Sequence, residues 1–441
     1  MKTLQYLIIL LALFFIKHIG YSQTNDIKVI STKYDTILKE QHKGIAILTN
    51  KKNKTETLSL GDYNLTANSV FNIGSATKTF TAILILQEYE KGNLKITDSI
   101  GTYLTPIKNV DGSLTIKSLL THESGLDEVI GKNVVDIFYG KNDELYNANL
   151  LDQVEKNDPK MIGSFDYCNT NYFLLGKIIE KVTDQNYFDL LRERIFTPLQ
   201  MKNSYPYVHK HLPNLATPYF QDKDVTEYLD YRYFANIAYA AGSIASTLND
   251  MQIFYESLFE TEKLLKKETL KMMMESGNEQ YGLGLFKFNV DGVTYYGHGG
   301  NNIGYAFRNQ YNPNTKDLYL AFTNCKTIPF KKAITNDLLA YINDTPIENF
   351  KSINLDNFKK YTGTYLLKEA NLTLKITLED NKMYLVSEEQ GVTSELSQKD
   401  ETSLYDTTVG VVLTQIENNH DSLSFSQNGF TTTISKVSLN K

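Results

Sequence analysis

The spacing of apolar residues predicts that helices and strands are mixed along the first three quarters of the chain. Apolar residues three to four positions apart predict a helix at 79–90, where Phe80, Ile83 and Leu84 share one face. Similar patterns predict helices at 173–182, within 258–274 and ending near 341. Short apolar stretches predict strands at 45–48, at 57–60, around Tyr295, at 305–307 and at 318–323.

The pattern changes after about residue 342, where Asp344-Thr345-Pro346 has the composition of a loop. From residue 350 onward, apolar and polar residues alternate in short segments separated by polar turns, which is typical of strands. These segments are 372–376, 383–386, 409–413, 423–425 and 431–435. The sequence therefore predicts a small all-β C-terminal domain at 350–441, either a sandwich or a barrel.

The first 22 residues have the pattern of a secretory signal peptide. Lys2 precedes an apolar run from Leu7 to Ile16, which is too short to span a bilayer, and small and polar residues follow it. Cleavage near Ser22 predicts an exported protein, periplasmic or extracellular, with no stable membrane anchor. An uncleaved N-terminal anchor helix is the alternative.

Composition and charge exclude several classes of protein. The chain of 441 residues is 41% hydrophobic and 22% charged, as in an ordinary globular protein and unlike a disordered or collagenous one. The net charge of -6 argues against nucleic-acid binding, which needs a basic surface. Two cysteines are too few for a disulfide scaffold or a four-cysteine zinc site. No cofactor or metal motif occurs, so we expect neither group.

The first motif with chemical content is Ser75 followed three residues later by Lys78, at the start of the predicted helix. Residues three apart share a helix face, so the two side chains can meet. A serine hydroxyl needs an adjacent base to become a nucleophile, and a buried lysine with a lowered pKa can be that base. The alternative is an N-cap serine with an unrelated surface lysine.

Two further motifs carry polar groups suited to a substrate. In Tyr167-Cys168-Asn169 the first and third side chains lie on one side of an extended segment, and a tyrosine can act as a base beside an ammonium. The glycines of Gly297-His298-Gly299-Gly300-Asn301 allow close backbone approach to a ligand, and an imidazole can donate a hydrogen bond there. Taken singly, each also fits an ordinary helix start or hairpin turn.

In this order, Ser-x-x-Lys, Tyr-x-Asn and His-x-Gly together resemble the serine β-lactamase and penicillin-binding-protein superfamily. The resemblance is greatest to its class C β-lactamase-like branch, with D,D-carboxypeptidases, D-aminopeptidases and esterases, and covers roughly residues 27 to 340. The linking segments that also match are Leu119–Leu126, Tyr172–Glu180, Pro198–Met201, Ala241–Thr247 and Tyr281–Gly284.

The resemblance implies an α+β fold for residues 23–345, with a five-stranded antiparallel sheet flanked by helices and a helical subdomain. It also implies an exported serine hydrolase that forms an acyl-enzyme with a β-lactam, a D-amino-acid peptide or a small ester. The expected partner is such a small-molecule or peptide substrate, including cell-wall peptide. A catalytically silent peptidoglycan- or peptide-binding protein of the same fold is the alternative, and the C-terminal domain could instead recognise a partner.

By resemblance, Ser75 is the nucleophile and Tyr167, supported by Lys78, takes its proton. The N–H groups of Ser75 and Asn301 would form the oxyanion hole. The residues assigned to substrate binding are Asn169, His298, Gly300 and Asn301. His122 lies in a segment that is structural in this family. The third motif has His298 where many members have lysine, and that form is common in the esterase and peptidase branches.

Overall fold

The computed structural model describes residues 26–38, 43–62, 64–130, 150–220, 222–230, 232–290, 292–325, 328, 331–347, 350–427 and 430–437. The predicted signal peptide at 1–22 lies outside the described residues. Within them, no helix is long and apolar enough to cross a membrane.

The described helices are α1 (Lys28–Leu38), α2 (Thr77–Glu90), α3 (Ile116–Leu120), α4 (Asn169–Thr183), α5 (Tyr187–Leu191), α6 (Tyr239–Gly242), α7 (Leu248–Glu260), α8 (Lys267–Glu275), α9 (Lys331–Ile342) and α10 (Leu355–Phe358). The strands up to residue 323 are β1 (Ile45–Lys51), β2 (Lys54–Leu60), β3 (Phe71–Asn72), β4 (Tyr219–Phe220), β5 (Lys223–Asp224), β6 (Ala245–Ser246), β7 (Phe286–Val290), β8 (Val293–Gly297), β9 (Gly300–Asn302), β10 (Tyr305–Tyr311) and β11 (Leu318–Thr323). The remaining strands are β12 (Gly363–Leu367), β13 (Leu372–Glu379), β14 (Lys382–Ser387), β15 (Val392–Gln398), β16 (Ser403–Asp406), β17 (Val412–Ile416), β18 (Asn419–Gln427) and β19 (Phe430–Lys436).

The main sheet is antiparallel and has seven strands, in the order β2-β1-β11-β10-β8-β7, with β9 also paired to β10. The expected α+β architecture is confirmed, but the expectation of five strands is wrong in detail. Two strands account for the difference. β7 adds an edge through its hairpin with β8, and the third motif interrupts its own strand at His298 and Gly299, so that β8 and β9 are separate.

Helix α2 is the buried centre of the part of the chain that precedes the barrel. All residues from Ser69 to Leu86 are buried except Ser75, which is partly exposed. Phe80 stacks on Phe254 of α7, with ring centroids 3.8 Å apart. A helix that is apolar on all sides needs neighbours on all sides, and burial is what stabilises it. This packing fixes the position of the first motif.

Strands β12 to β19 form a closed barrel in the C-terminal part of the chain. Buried and less buried residues alternate along β14, so that Met383, Leu385 and Ser387 face inward. The barrel core includes Tyr365 and Ile434, both with no exposed surface. A small all-β structure was expected here, and its form is an eight-stranded barrel, which closes the sheet and removes free edges.

The single helix predicted within 258–274 is in fact two. Helix α7 ends at Glu260, and α8 begins at Lys267. The Thr261 hydroxyl donates to the Ser257 carbonyl at 2.6 Å, satisfying one of the carbonyls that a helix end leaves unpaired. Apolar periodicity alone does not reveal such an interruption.

Candidate active site

The first motif begins in a 3₁₀ turn, Gly74–Ala76, between β3 and α2. The Asn72 side chain holds this turn by donating to three carbonyls, those of Gly242, Ser243 and Ile244, at 2.9–3.1 Å. Its Oδ1 atom accepts from the Gly74 N–H at 3.0 Å. Because the surrounding backbone is fixed in this way, the Ser75 hydroxyl is presented from a rigid turn at the accessible end of a buried helix.

Lys78 lies one turn further on and is completely buried. Its ammonium donates to Ser75 Oγ at 3.1 Å, to Asn169 Oδ1 at 2.7 Å and to the Ala241 carbonyl at 2.8 Å. It also lies over the Tyr167 ring, 5.0 Å from the centroid. Among the described residues, no carboxylate forms an ion pair with it. Because the ammonium bonds both Ser75 and Asn169, the first two motifs meet at this nitrogen.

Burial lowers the pKa of Lys78 to about 7, with the Glu128 carboxylate opposing the shift. Removing an ammonium from water disfavours its charged form, and neutral hydrogen-bond acceptors compensate only in part. A substantial fraction of the side chain is therefore a neutral amine at neutral pH. Such an amine, in contact with Ser75 Oγ, can accept the hydroxyl proton.

Tyr167 is half-buried, and its ring lies between two other aromatic rings. The His122 ring centroid is 4.3 Å away on one side, and the Phe286 ring is stacked at 6.0 Å with an interplanar angle of 17°. Burial raises the pKa of Tyr167, although its hydrogen bond with Ser75 opposes the shift. The phenol is therefore neutral at physiological pH, in reach of the Ser75 hydroxyl.

Asn169 begins α4 and shares the site with Lys78. Its side-chain oxygen is occupied by the lysine, and its backbone N–H donates to Glu128 Oε2 at 2.5 Å. Because the oxygen is taken, the amide NH₂ group is what remains to donate to a substrate carbonyl. Cys168, between the two motif residues, is buried, and within the described residues neither it nor Cys325 forms a disulfide.

Two glycines let the third motif approach the first. A Cβ atom at Gly300 would lie 1.9 Å from the Ile73 carbonyl oxygen and 2.8 Å from the Ser75 nitrogen. A Cβ atom at Gly74 would lie 2.9 Å from the Asn301 nitrogen. Backbone contact at this distance requires residues without a side chain. It brings β9 beside Ser75, so the N–H groups of Ser75 and Asn301 lie in the same region.

His298 is buried, and both of its ring nitrogens are bonded within the protein. Nδ1 is 2.7 Å from the Gly299 carbonyl, which can only accept, so Nδ1 carries the proton. Nε2 is 2.9 Å from the Tyr281 hydroxyl, which therefore donates to it. Burial, with the nearby Lys78, lowers the pKa of His298 to about 3. Both ring nitrogens are thus occupied within the protein, and the assignment of His298 to substrate binding stays a prediction.

The chain was also compared with known proteins. A family model described as Beta-lactamase matches residues 30–342. The chain belongs to the beta-lactamase family. The predicted membership of the serine β-lactamase and penicillin-binding-protein superfamily is thereby confirmed.

Two curated relatives and one solved structure illustrate the similarity. The putative penicillin-binding protein PbpX of Bacillus subtilis is 27% identical over 62% of this chain and 66% of its own length. A teichoic acid D-alanine hydrolase of Staphylococcus aureus is 29% identical over 49% of this chain and 52% of its own length. The D-stereospecific amidohydrolase from Streptomyces sp. has a TM-score of 0.60 and 25% identity, over 68% of this chain and 94% of that one. The chain thus spans about two thirds of the first relative and half of the second.

In this beta-lactamase-family site, sequence reasoning missed three contributors. The Ala241 carbonyl accepts from Lys78, the Glu128 carboxylate accepts from Asn169, and the Tyr281 hydroxyl pairs with His298. Ala241 and Tyr281 lie in segments that match the family, so the matching segments were the available signal. A backbone carbonyl has no residue-type signature, and Glu128 lies just beyond a matched segment.

Proposed function

We propose that this chain is an exported serine hydrolase that cleaves an amide or ester through an acyl-enzyme. The main support for this proposal is the environment of Lys78. This side chain is fully buried and donates to the hydroxyl of Ser75, the one partly exposed residue between Ser69 and Leu86. A buried lysine without an ion pair costs stability. Its presence beside an exposed hydroxyl is explained by nucleophile activation. The export proposal rests on the signal-peptide pattern at 1–22.

In the proposed first step, the Lys78 amine accepts the Ser75 proton while Oγ forms a bond to the substrate carbonyl carbon. We assign this proton to Lys78 rather than to Tyr167, because burial lowers the lysine pKa and raises the tyrosine pKa. The oxyanion would be stabilised by the N–H groups of Ser75 and Asn301. One such donor is typically worth about 10²–10³ in rate.

In the second step, the tetrahedral intermediate breaks its bond to the leaving amine or alcohol. The Tyr167 phenol donates a proton to that group and recovers one from the Lys78 ammonium, so the proton balance closes. Water then attacks the acyl-enzyme by the reverse sequence. The Asn169 amide would orient the substrate carbonyl, since its NH₂ group is the part that Lys78 leaves open.

For the substrate, we propose an acyl group of the D-amino-acid type, joined as an amide or as an ester. This proposal is supported by the names of two similar proteins, a teichoic acid D-alanine hydrolase and a D-stereospecific amidohydrolase. Cell-wall peptide and β-lactams belong to the same acyl class, so a panel of substrates is needed to rank them.

The deciding experiment compares the wild-type chain with Ser75→Ala. The wild type is expected to be labelled covalently by a fluorophosphonate and to turn over at least one of nitrocefin, p-nitrophenyl acetate and a D-Ala-D-Ala peptide. Ser75→Ala is expected to lose both properties. Ser113, which is exposed and distant in sequence from the three motifs, offers a matched control as Ser113→Ala. Labelling of Ser75→Ala would overturn the assignment, and a wild type that neither labels nor turns over would instead be a silent binding protein.

A further inference from the structure

A fully buried histidine outside the three motifs contacts the second motif directly. His122 follows α3 in a left-handed conformation, with φ of 58°, and none of its surface is exposed. Its Nδ1 atom is 3.1 Å from the Cys168 nitrogen and 3.2 Å from Asn171 Nδ2, both of which are donors. Its ring lies against the ring of Tyr167.

These contacts fix the proton on the other nitrogen. Since Nδ1 accepts from two N–H groups, it carries no proton, and the neutral ring is protonated at Nε2. Burial, and then the electrostatic interaction with the nearby Lys78 and His298 side chains, holds the pKa of His122 well below its ordinary value. The imidazole is therefore a permanent hydrogen-bond acceptor towards the second motif across the working pH range.

The Nε2 atom has no hydrogen-bond partner among the described residues. The rings of Tyr167, Tyr172 and Tyr281 lie 4.3–5.1 Å from the imidazole and fill the space around it. A buried polar atom without a partner is costly and rare in folded proteins. If packing were the only requirement, an apolar ring would be favoured at this position. The presence of a histidine is therefore explained by Nδ1, the ring nitrogen that does have hydrogen-bond partners.

The neighbouring backbone shows what Nδ1 accomplishes. The N–H groups of Cys168 and Asn169 are consecutive, and each donates to a side chain of the same segment, His122 and Glu128 respectively. Ser124, which lies between His122 and Glu128 in the sequence, donates to the Asn171 side chain at 2.6 Å. Three side chains of the segment 122–128 thus hold the start of α4, which includes Asn169 and directly follows Tyr167 and Cys168.

We propose that His122 is a positioning residue, whose Nδ1 atom fixes the Tyr167 phenol and the Asn169 amide by accepting the N–H of the residue between them. It does not touch substrate. This inference rests on the proposed function, because it assigns His122 a part in delivering the proton from Tyr167. Loss of the acceptor lets the second motif shift, and sub-ångström to ångström shifts of such groups reduce turnover strongly.

Two variants separate the acceptor from the ring. His122→Asn keeps an acceptor oxygen near the position of Nδ1 but removes most of the ring, whereas His122→Phe keeps the ring and removes the acceptor. We expect His122→Phe to lose at least about 100-fold in kcat, with KM within about threefold, and His122→Asn to retain at least ten times more activity than His122→Phe. The substrate is whichever ester or amide the wild type turns over.

Folding and function are read independently in this experiment. Each variant is titrated with a fluorophosphonate, so that slow but complete labelling of Ser75 shows a folded site, and its thermal melt is recorded. His122→Phe with wild-type kcat, or His122→Asn worse than His122→Phe, would overturn the inference. Absence of labelling in the wild type would instead remove the proposed function itself.

A measurement on the unmodified chain covers the case in which neither variant folds. Histidine-selective ¹⁵N NMR is expected to show one ring with its proton on Nε2 that does not titrate between pH 5 and 9, besides the His298 ring with its proton on Nδ1. If every Nε2-protonated ring titrated in that range, His122 could not be the permanent acceptor that the inference requires.

Discussion

At the scale of single residues, the site depends on how burial shifts two proton affinities in opposite directions. The Lys78 pKa falls to about 7 because burial removes its ammonium from water. The Tyr167 pKa rises because burial would likewise remove a charged phenolate from water. The two side chains are 5.0 Å apart, measured from Nζ to the ring centroid. One environment therefore favours a neutral amine, which accepts a proton in the proposed mechanism, and a neutral phenol, which donates one.

This arrangement predicts the pH dependence of the reaction. Because the active form has a neutral Lys78, kcat/KM should rise with pH through an apparent pKa near 7, the value that burial produces in the folded chain. Since the Tyr167 pKa is raised, no decrease should follow at mildly alkaline pH. The profile is measured between pH 5 and 9 with a neutral ester, whose own charge does not change.

A lysine-to-arginine substitution gives the control for that profile. Lys78→Arg keeps a cation but cannot release its proton near neutral pH, so activity should be lost, by about 10²–10⁴-fold, across the whole pH range. A wild-type profile that decreases between pH 6 and 8 would contradict the assignment of the base.

At the scale of elements, apolar periodicity located the helices that matter for the site. The helix predicted at 79–90 is α2, Thr77–Glu90, and the one predicted at 173–182 is α4, Asn169–Thr183. In both, the polar motif residues lie just before the helix or in its first turn, where apolar periodicity has not yet begun, so the predicted starts were late. Motif order, rather than periodicity, identified these residues.

Other features of the site depend on tertiary contacts that no local pattern encodes. Strand β9 consists of Gly300, Asn301 and Asn302, which have low strand propensity, and it exists because β10 pairs with it. The inward orientation of the His298 ring follows from its Tyr281 partner, 17 residues away in the chain. Sequence reasoning could identify the glycines of the third motif but not the two backbones that they bring together.

The contact between β9 and the first motif yields a prediction for Gly300→Ala. The added methyl would overlap the Ile73 carbonyl at 1.9 Å, so β9 must move away and the Asn301 N–H with it. We expect kcat to fall by about 10²–10³-fold, the usual effect of losing one oxyanion-hole donor. The measurement is steady-state kinetics, with a thermal melt to confirm folding.

Gly112→Ala is the matched control, because Gly112 is exposed and an added Cβ would meet its nearest atom at 3.6 Å, an ordinary contact distance. It should leave kcat unchanged. A Gly300→Ala chain with wild-type turnover would show that the third motif does not supply an oxyanion donor.

At the scale of the whole molecule, the barrel is hydrogen-bonded to helix α9 through the loop between β16 and β17, and the Asn336 side chain of α9 also donates to the Tyr405 hydroxyl at 3.0 Å. The N–H groups of Lys332 and Ala333, at the start of α9, donate to the carbonyls of Thr408 and Thr407 at 3.2 and 2.9 Å. The first turn of a helix has unpaired donors, and here the loop between β16 and β17 accepts two of them. The barrel thus caps a helix that packs on the main sheet.

Asp406 organises this loop from within. Its carboxylate has no exposed surface, and Oδ1 accepts from Ser394 Oγ at 2.8 Å and from the N–H groups of Thr408 and Val409 at 2.8 and 2.7 Å. Burial raises the pKa of Asp406 despite these bonds. The three hydrogen bonds to Oδ1 hold the loop in shape.

Asp406→Ala tests whether the two parts of the molecule are stabilised together. Removing the acceptor takes a partner away from the Ser394 hydroxyl and from the Val409 N–H, whereas the Thr408 N–H keeps its bond to Ser394 Oγ. At about 1–3 kcal/mol for each lost partner, we expect a loss of about 2–4 kcal/mol in the free energy of unfolding after partial relaxation. Asp406→Asn keeps the Oδ1 acceptor and should differ from wild type by less than about 1 kcal/mol. Urea unfolding followed by circular dichroism gives both values, and residual hydrolase activity is measured at each urea concentration.

Because the loop caps α9, the activity of Asp406→Ala should disappear at a lower urea concentration than that of Asp406→Asn. If the barrel unfolded early in Asp406→Ala while the activity midpoint stayed at the wild-type value, the barrel would be an autonomous module, free for the partner-recognition role considered from the sequence.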